Sequence, residues 1–221
     1  MTASKASDAE ARGETLEYHD GPLIDDRVGP PGGRLEGHLG SWTVDELLDR
    51  NQHDRRSRIE LVGGALIVSP SPSWLHQVAS FELTVQIKSG IRAAKSPFGI
   101  AEAVNVRTAD ELFIPDIVVA DAEAVRNGPV AVSMEDVLLI VEIVSPSNAM
   151  VDRHLKPGAY AELGLEHYWR LEPATATPEL IVHTLAGGAY KETGRVSGTA
   201  EIPVGEHFVV QVDVPALLGL D

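Results

Sequence analysis

Two apolar runs constrain this chain more than any other feature. FIPDIVVA, beginning at Phe113, and VLLIVEIV, beginning at Val137, are each about a strand long and rich in β-branched residues. Unbroken apolar runs of this kind belong to strands covered on both faces. Yet each run carries one carboxylate, Asp116 in the first and Glu142 in the second. An ionised acid in such a place is costly unless it is paired or binds a metal. Two acids on adjacent strands also repel each other, and a divalent cation between them removes the repulsion. The plainer alternative is that each acid reaches solvent at a strand end or pairs with a nearby arginine. Pro115 cannot donate to a strand ladder, so the first strand is at an edge or bulged there. A bulge re-aims the side chain that follows it.

The elements around these strands predict an α+β domain, α/β/α-like, with a central mixed sheet flanked by at least two helices. SWTVDELLDR reads as a helix with Thr43 as N-cap and Glu46 at capping-box spacing. RIELVGGALIVSP reads as a hairpin about Gly63-Gly64. SPSWLHQVASFELTVQIKSGIRAA favours a helix ending near Gly90, although the alternation from Phe81 to Ile87 also suits a strand. Strands are expected in GIAEAVNVRT, LFIPDIVVAD, VLLIVEIVS and EHYWRLEP, with a short helix, DRHLKPGAYAELG, closed by Gly164. A hairpin around Gly187-Gly188 and a last strand, HFVVQVDV, finish the chain. Residues 1–40, polar and rich in Gly and Pro, read as a flexible arm ahead of a domain over 41–221.

Between the central strands and the C-terminal half, Asp152, Lys156 and Tyr160 recur four apart and share one helical face. Either Asp152 and Lys156 make an exposed ion pair of small value, or the ammonium lies over the strand end that carries Glu142. Ser145, Ser147, Asn148 and Asp152 are all candidate caps for that helix. Composition narrows the chemistry. With no cysteine there are no disulfides, no thiol nucleophile and no thiolate metal site. No apolar run approaches the roughly 18 residues of a membrane span, and the N-terminus lacks the pattern of a secretion signal, so a cytoplasmic protein without membrane contact is expected. The formal charge is −15; eight acids against four bases in residues 1–40 carry −4 of it, leaving about −11 on the rest. That balance opposes tight non-specific DNA binding.

The ordered series RIELVGGALIVSPSPSWLHQ, FIPDIVV, LLIVEIVSPSN, DRHLKPGAYAELG and LEHYW resembles the Uma family of restriction-endonuclease-like proteins, within the PD-(D/E)XK nuclease superfamily. The likeness runs over roughly residues 42–192. It implies a restriction-endonuclease-like core that binds Mg²⁺ (or Mn²⁺) and hydrolyses DNA phosphodiesters. Asp116 then fills the PD position and Glu142 the second acid, with the Ile143 carbonyl as a further metal ligand. The superfamily lysine usually stands two residues after the second acid, where this chain has Val144; Lys156 looks like its displaced replacement. Glu60 matches a further family acid, and either completes the site or pairs with Arg56 or Arg58. His76 either contacts substrate phosphate, orients a carboxylate or packs the helix. Asp152, Tyr160 and the Tyr168-Trp169 pair also match and read as scaffold. Cutting both strands of a duplex suggests a homodimer. The competing readings are a nuclease-like fold kept for protein interaction, which the acidic charge favours, and a sugar or nucleotide hydrolase with paired carboxylates, which leaves Lys156 unexplained.

Overall fold

The computed structural model describes residues 41–53, 58–69, 71–146, 149–175 and 177–219. The arm expected over residues 1–40 lies outside them. The fold is mixed α+β, built on a six-stranded sheet of order β11-β10-β9-β8-β6-β3. These strands are β3 (Phe98–Glu102), β6 (Ile117–Asp121), β8 (Val137–Ile143), β9 (His167–Glu172), β10 (Glu179–Ala186) and β11 (Ala189–Val196). Only the β8–β9 pair among them is parallel; the other neighbours run antiparallel. A second, five-stranded sheet of order β2-β1-β5-β4-β7 joins β1 (Arg58–Val62), β2 (Ala65–Ser69), β4 (Asn105–Arg107), β5 (Leu112–Phe113) and β7 (Ala131–Ser133).

Alternation along the central strands sends two sets of side chains to two cores. Ile117 and Val119 of β6, with Leu139, Val141 and Ile143 of β8, pack against helix α2 (Trp74–Ala94) and the hairpin of β12 (Thr199–Val204) and β13 (Phe208–Asp213). Val118, Ala120, Ile140 and Tyr168 point the other way, toward Phe113 of the five-stranded sheet and Tyr160 of helix α3 (Lys156–Glu162). Glu142 shares the parity of Ile140, and so it projects into this second layer.

Helix α1 (Val44–His53) opens with the expected capping box: the Thr43 hydroxyl and amide donate to Glu46 Oε2 at 2.7 and 2.9 Å, and the Glu46 amide donates back to Thr43 Oγ1 at 3.3 Å. In α2, Ser73 caps the start by accepting from the His76 amide. The helical period wins over the strand-like alternation of Phe81 to Ile87, because Ala79, Leu83, Ile87 and Ile91 form one buried stripe. The expected stop at Gly90 is wrong; α2 continues to Ala94. Gly90 is there for proximity, since a Cβ at that position would lie 2.4 Å from the Val209 carbonyl oxygen of β13.

Two expected strands divide. GIAEAVNVRT becomes β3 and β4, turned at Ala103, which sits at φ 56°. LFIPDIVVAD becomes β5 and β6, and Ile114-Pro115-Asp116 carries the chain from one sheet to the other. The hairpins at Gly63-Gly64 and Gly187-Gly188 form as expected, each glycine with positive φ. Strand β12 has no counterpart in the sequence reading. Its Pro203 argues against a central strand, and the two-stranded β12–β13 hairpin tolerates it. Helix α4 (Val214–Leu217) closes the domain, and no helix among the described residues is long and apolar enough to cross a membrane.

Candidate active site

The crossing at Pro115 builds one wall of a cavity of about 180 Å³. Backbone in such a link has no ladder partners, and side chains from β1 supply them. The Ile114 amide donates to Glu60 Oε1 at 2.8 Å, and Arg58 Nη2 donates to the Ile114 carbonyl at 3.2 Å. Asp116 then turns toward the end of β8. There the Ile143 amide lies beyond the last residue pair between β6 and β8, and it donates to Asp116 Oδ2 at 2.7 Å. His76 Nε2 lies 3.2 Å from the same oxygen. Burial works against protonation of this imidazole, but the Asp116 hydrogen bond and charge lift its pKa above the ordinary value.

The opposite wall comes from the segment after β8. It enters as a π-turn over Val151–Leu155, in which the Lys156 amide donates to the Val151 carbonyl, five residues back. This turn buries Asp152, Lys156 and Tyr160 together. The exposed ion pair is therefore ruled out: Lys156 is 4 % exposed and points inward. Its Nζ lies 2.9 Å from Glu60 Oε1 and 3.0 Å from Glu142 Oε1. Tyr160 donates its hydroxyl to Glu142 Oε1 at 2.7 Å.

Glu60, Asp116, Glu142 and Asp152 all line the cavity, against two fixed cations, Lys156 and Arg58. Burial pushes the Glu142 carboxyl up to about 8 against the pull of Lys156, with Asp116, Glu60 and Asp152 adding to the rise. Burial likewise lifts Asp152 to about 6, again opposed by Lys156 and helped by Asp116 and Glu60. Burial disfavours the Lys156 ammonium, yet Glu142, Glu60 and Asp152 outweigh it and hold the group charged well above the ordinary lysine value. The Tyr160 phenol is raised by burial and by Glu142 and Glu60, so it stays a donor.

All five sequence-predicted side chains, Glu60, His76, Asp116, Glu142 and Lys156, thus border one cavity, together with Ile143. Two residues read as scaffold have a closer relation to it: Asp152 lines it, and Tyr160 binds Glu142. Their spacing of four from Lys156 was the available signal. Tyr168 and Trp169 are fully buried core, with the Tyr168 hydroxyl donating to the Asp152 carbonyl. No group of three or more His, Asp or Glu side chains among the described residues is arranged to hold a metal by itself.

A family model described as "Uma2: Putative restriction endonuclease" matches residues 44–215, well over half of the chain. The chain belongs to the Uma2 family. Its fold has a counterpart among solved structures. The model is similar, with a TM-score of 0.59, to the crystal structure of a "putative nuclease belonging to DUF820" from Anabaena variabilis ATCC 29413. At 18 % sequence identity the match covers 78 % of this chain and 97 % of that one. No curated protein matches the chain. Uma2 membership places the chain in a restriction-endonuclease-like family, which implies nucleic acid as the substrate class, and the cavity is where this chain gathers its acids.

Proposed function

We propose that this Uma2 protein is a Mg²⁺- (or Mn²⁺-) dependent DNA endonuclease with a variant PD-(D/E)XK site, its lysine supplied by the helix after the second acid. The observation that carries this reading is a cavity lined by four carboxyl groups, two of which, Glu60 and Glu142, hold the Lys156 ammonium. A divalent cation fits that donor set. The oxygens are hard, and the four carboxyl groups outnumber the two fixed cations, Lys156 and Arg58. Mg²⁺ keeps several waters and needs only one or two carboxylates, which Asp116 and Glu142 of the cavity wall can supply. Asp116 and Glu142 would hold the ion, with the Ile143 carbonyl as a further oxygen. Bound there, the metal supplies Lewis acidity to the scissile phosphate and lowers the pKa of an attacking water.

The chain's own residues divide the remaining work. Lys156 stays protonated, so it acts as a charge donor to the phosphoryl oxygens and not as a base. Glu60 holds that ammonium together with Glu142 and fixes its position. Tyr160 does the same for Glu142 Oε1. His76 orients Asp116, which the Ile143 amide holds from its own side. The net reaction adds water across one P–O ester bond.

A plasmid and single-stranded DNA cleavage assay at low salt, with and without Mg²⁺ or Mn²⁺, tests the proposal. Cleavage should require the ion and fall in Asp116→Ala and Glu142→Gln by more than the roughly 10–100-fold seen for residues that only support a metal ligand. An Asp116→Ala protein that cuts at the parent rate overturns the assignment. Absence of both cleavage and calorimetric Mn²⁺ binding in the parent chain favours the interaction module, to which the −15 charge points.

A further inference from the structure

Helix α2 carries a second surface that the cavity does not use. Its buried stripe faces the six-stranded sheet and β13. On the opposite side Trp74, Val78, Phe81 and Val85 recur at one-face spacing. Trp74 is 85 % exposed and Phe81 58 %. The same face runs on through Lys88 and Arg92, with Lys95 at the C-cap. Among the described residues, the side chains of these three cations make no ion pair or hydrogen bond, and neither does that of Lys191 on the β10–β11 hairpin. Arg107, Arg126, Arg153, Arg170 and Arg195 each sit against an acid instead. In a chain of net charge −15, three of the four such Lys and Arg side chains among the described residues therefore collect at one end of one helix, with exposed aromatics toward the other.

We propose that this face of α2 is a track for a single strand of nucleic acid, with bases stacked on Trp74 and Phe81 and phosphates on Lys88, Arg92 and Lys95. The proposal rests on the nuclease reading and names its substrate as an unpaired strand, because a base can stack on a protein ring only when it has left its own stack. The helix begins at the cavity, whose wall includes Ser73 and His76, so a strand held along α2 leads to the acids. From Trp74 to Arg92 the helix rises about 27 Å, room for several nucleotides of an unstacked strand, within the roughly 4–16 nucleotides of known single-strand sites. A second copy of the chain is a poorer occupant. Its α2 offers one acid, Glu82, to three cations, whereas a phosphate backbone answers all three.

The test is fluorescence anisotropy of a labelled oligo(dT) of about twelve nucleotides, titrated with the full chain in EDTA so that binding is read apart from cleavage. Trp74→Ala should weaken binding about tenfold and Phe81→Ala by less. Lys88→Ala with Arg92→Ala should make the slope of log K against log salt shallower by roughly 0.7 per cation removed. Binding that all three variants leave unchanged overturns the track. So does a parent that sediments as a dimer, with Trp74→Ala monomeric and oligo(dT) binding intact, since the face is then a self-association surface. Unchanged binding beside metal-dependent cleavage removes the track and spares the nuclease reading. Face-dependent binding with no cleavage supports the track and removes the hydrolase.

Discussion

Two clusters in this protein have the same charge pattern, one cation with two glutamates, and opposite surroundings. In the cavity, Lys156 lies between Glu60 and Glu142 at 2.9 and 3.0 Å. On the β10–β11 hairpin, Arg195 lies between Glu179 and Glu192 at 2.5 and 2.8 Å. Distance does not separate them; water does. The Arg195 side chain is 45 % exposed and that of Lys156 5 %. Around Arg195, solvent takes over whatever a lost partner leaves, so the pairs hold little stability. Around Lys156 the only room for solvent is the small cavity that the cluster lines, and removing one member strands the others in surroundings that penalise charge.

The largest effect is expected where the buried cluster loses its cation. Lys156→Met should cost roughly 3–5 kcal/mol in urea denaturation at pH 8. The loss should shrink as pH falls, because Glu142, already raised to about 8, takes up a proton and its charge disappears. A variant as stable as the parent at pH 8 would show that water reaches this cluster and that the contrast with the hairpin is false. Tyr160→Phe comes next. It removes the hydroxyl donor from Glu142 Oε1 and should cost about 1.5–3 kcal/mol, the range for hydrogen bonds to charged groups, in the same measurement.

Glu172 is an intermediate case, its carboxylate mostly covered but gripped by Arg153 at 2.6 and 2.9 Å and by Arg170 at 3.1 Å. Burial opposes its ionisation, yet the Arg153 hydrogen bonds and charge hold its pKa below the ordinary 4.5. A depressed carboxyl contributes stability above its unfolded value and loses it as pH falls through the folded one. Thermal melts of the parent and Glu172→Gln should therefore differ at pH 7 and converge in the acid range; a difference that persists under acid would assign the effect to packing. The smallest effect closes the series. Arg195→Ala should leave the melting temperature within error of the parent, and a clear drop would mean that the hairpin pairs are less screened than their exposure suggests.

The acids were legible in the sequence for the reason that makes them costly in the structure. A carboxylate among β-branched residues stands out because such a run has no solvent to give it, and Asp116 and Glu142 stood out in this way. Thr43 with Glu46 and the paired glycines were legible because capping and turns are local. What the sequence withheld were distances through space. Pro115 announced an interruption but not that the chain changes sheets there. Gly90 looked like a helix end because only the nearness of Val209, far along the chain, explains it. The face shared by Asp152, Lys156 and Tyr160 could be counted from their spacing, whereas its direction depends on a π-turn that no local propensity marks. The arm and the homodimer remain expectations of the sequence alone.

That π-turn makes the pocket tolerant of one kind of length change. Its turn holds one residue more than an ordinary helical turn, so deleting one position between Val151 and Leu155 would tighten the winding to the usual 3.6 residues and keep Lys156 close to its present phase. The same deletion between Lys156 and Tyr160, where each residue advances the helix by about 100°, would swing the phenol away from Glu142. A single-residue gap is therefore absorbed in the first window and disabling in the second, although a comparison of chain lengths would score the two alike.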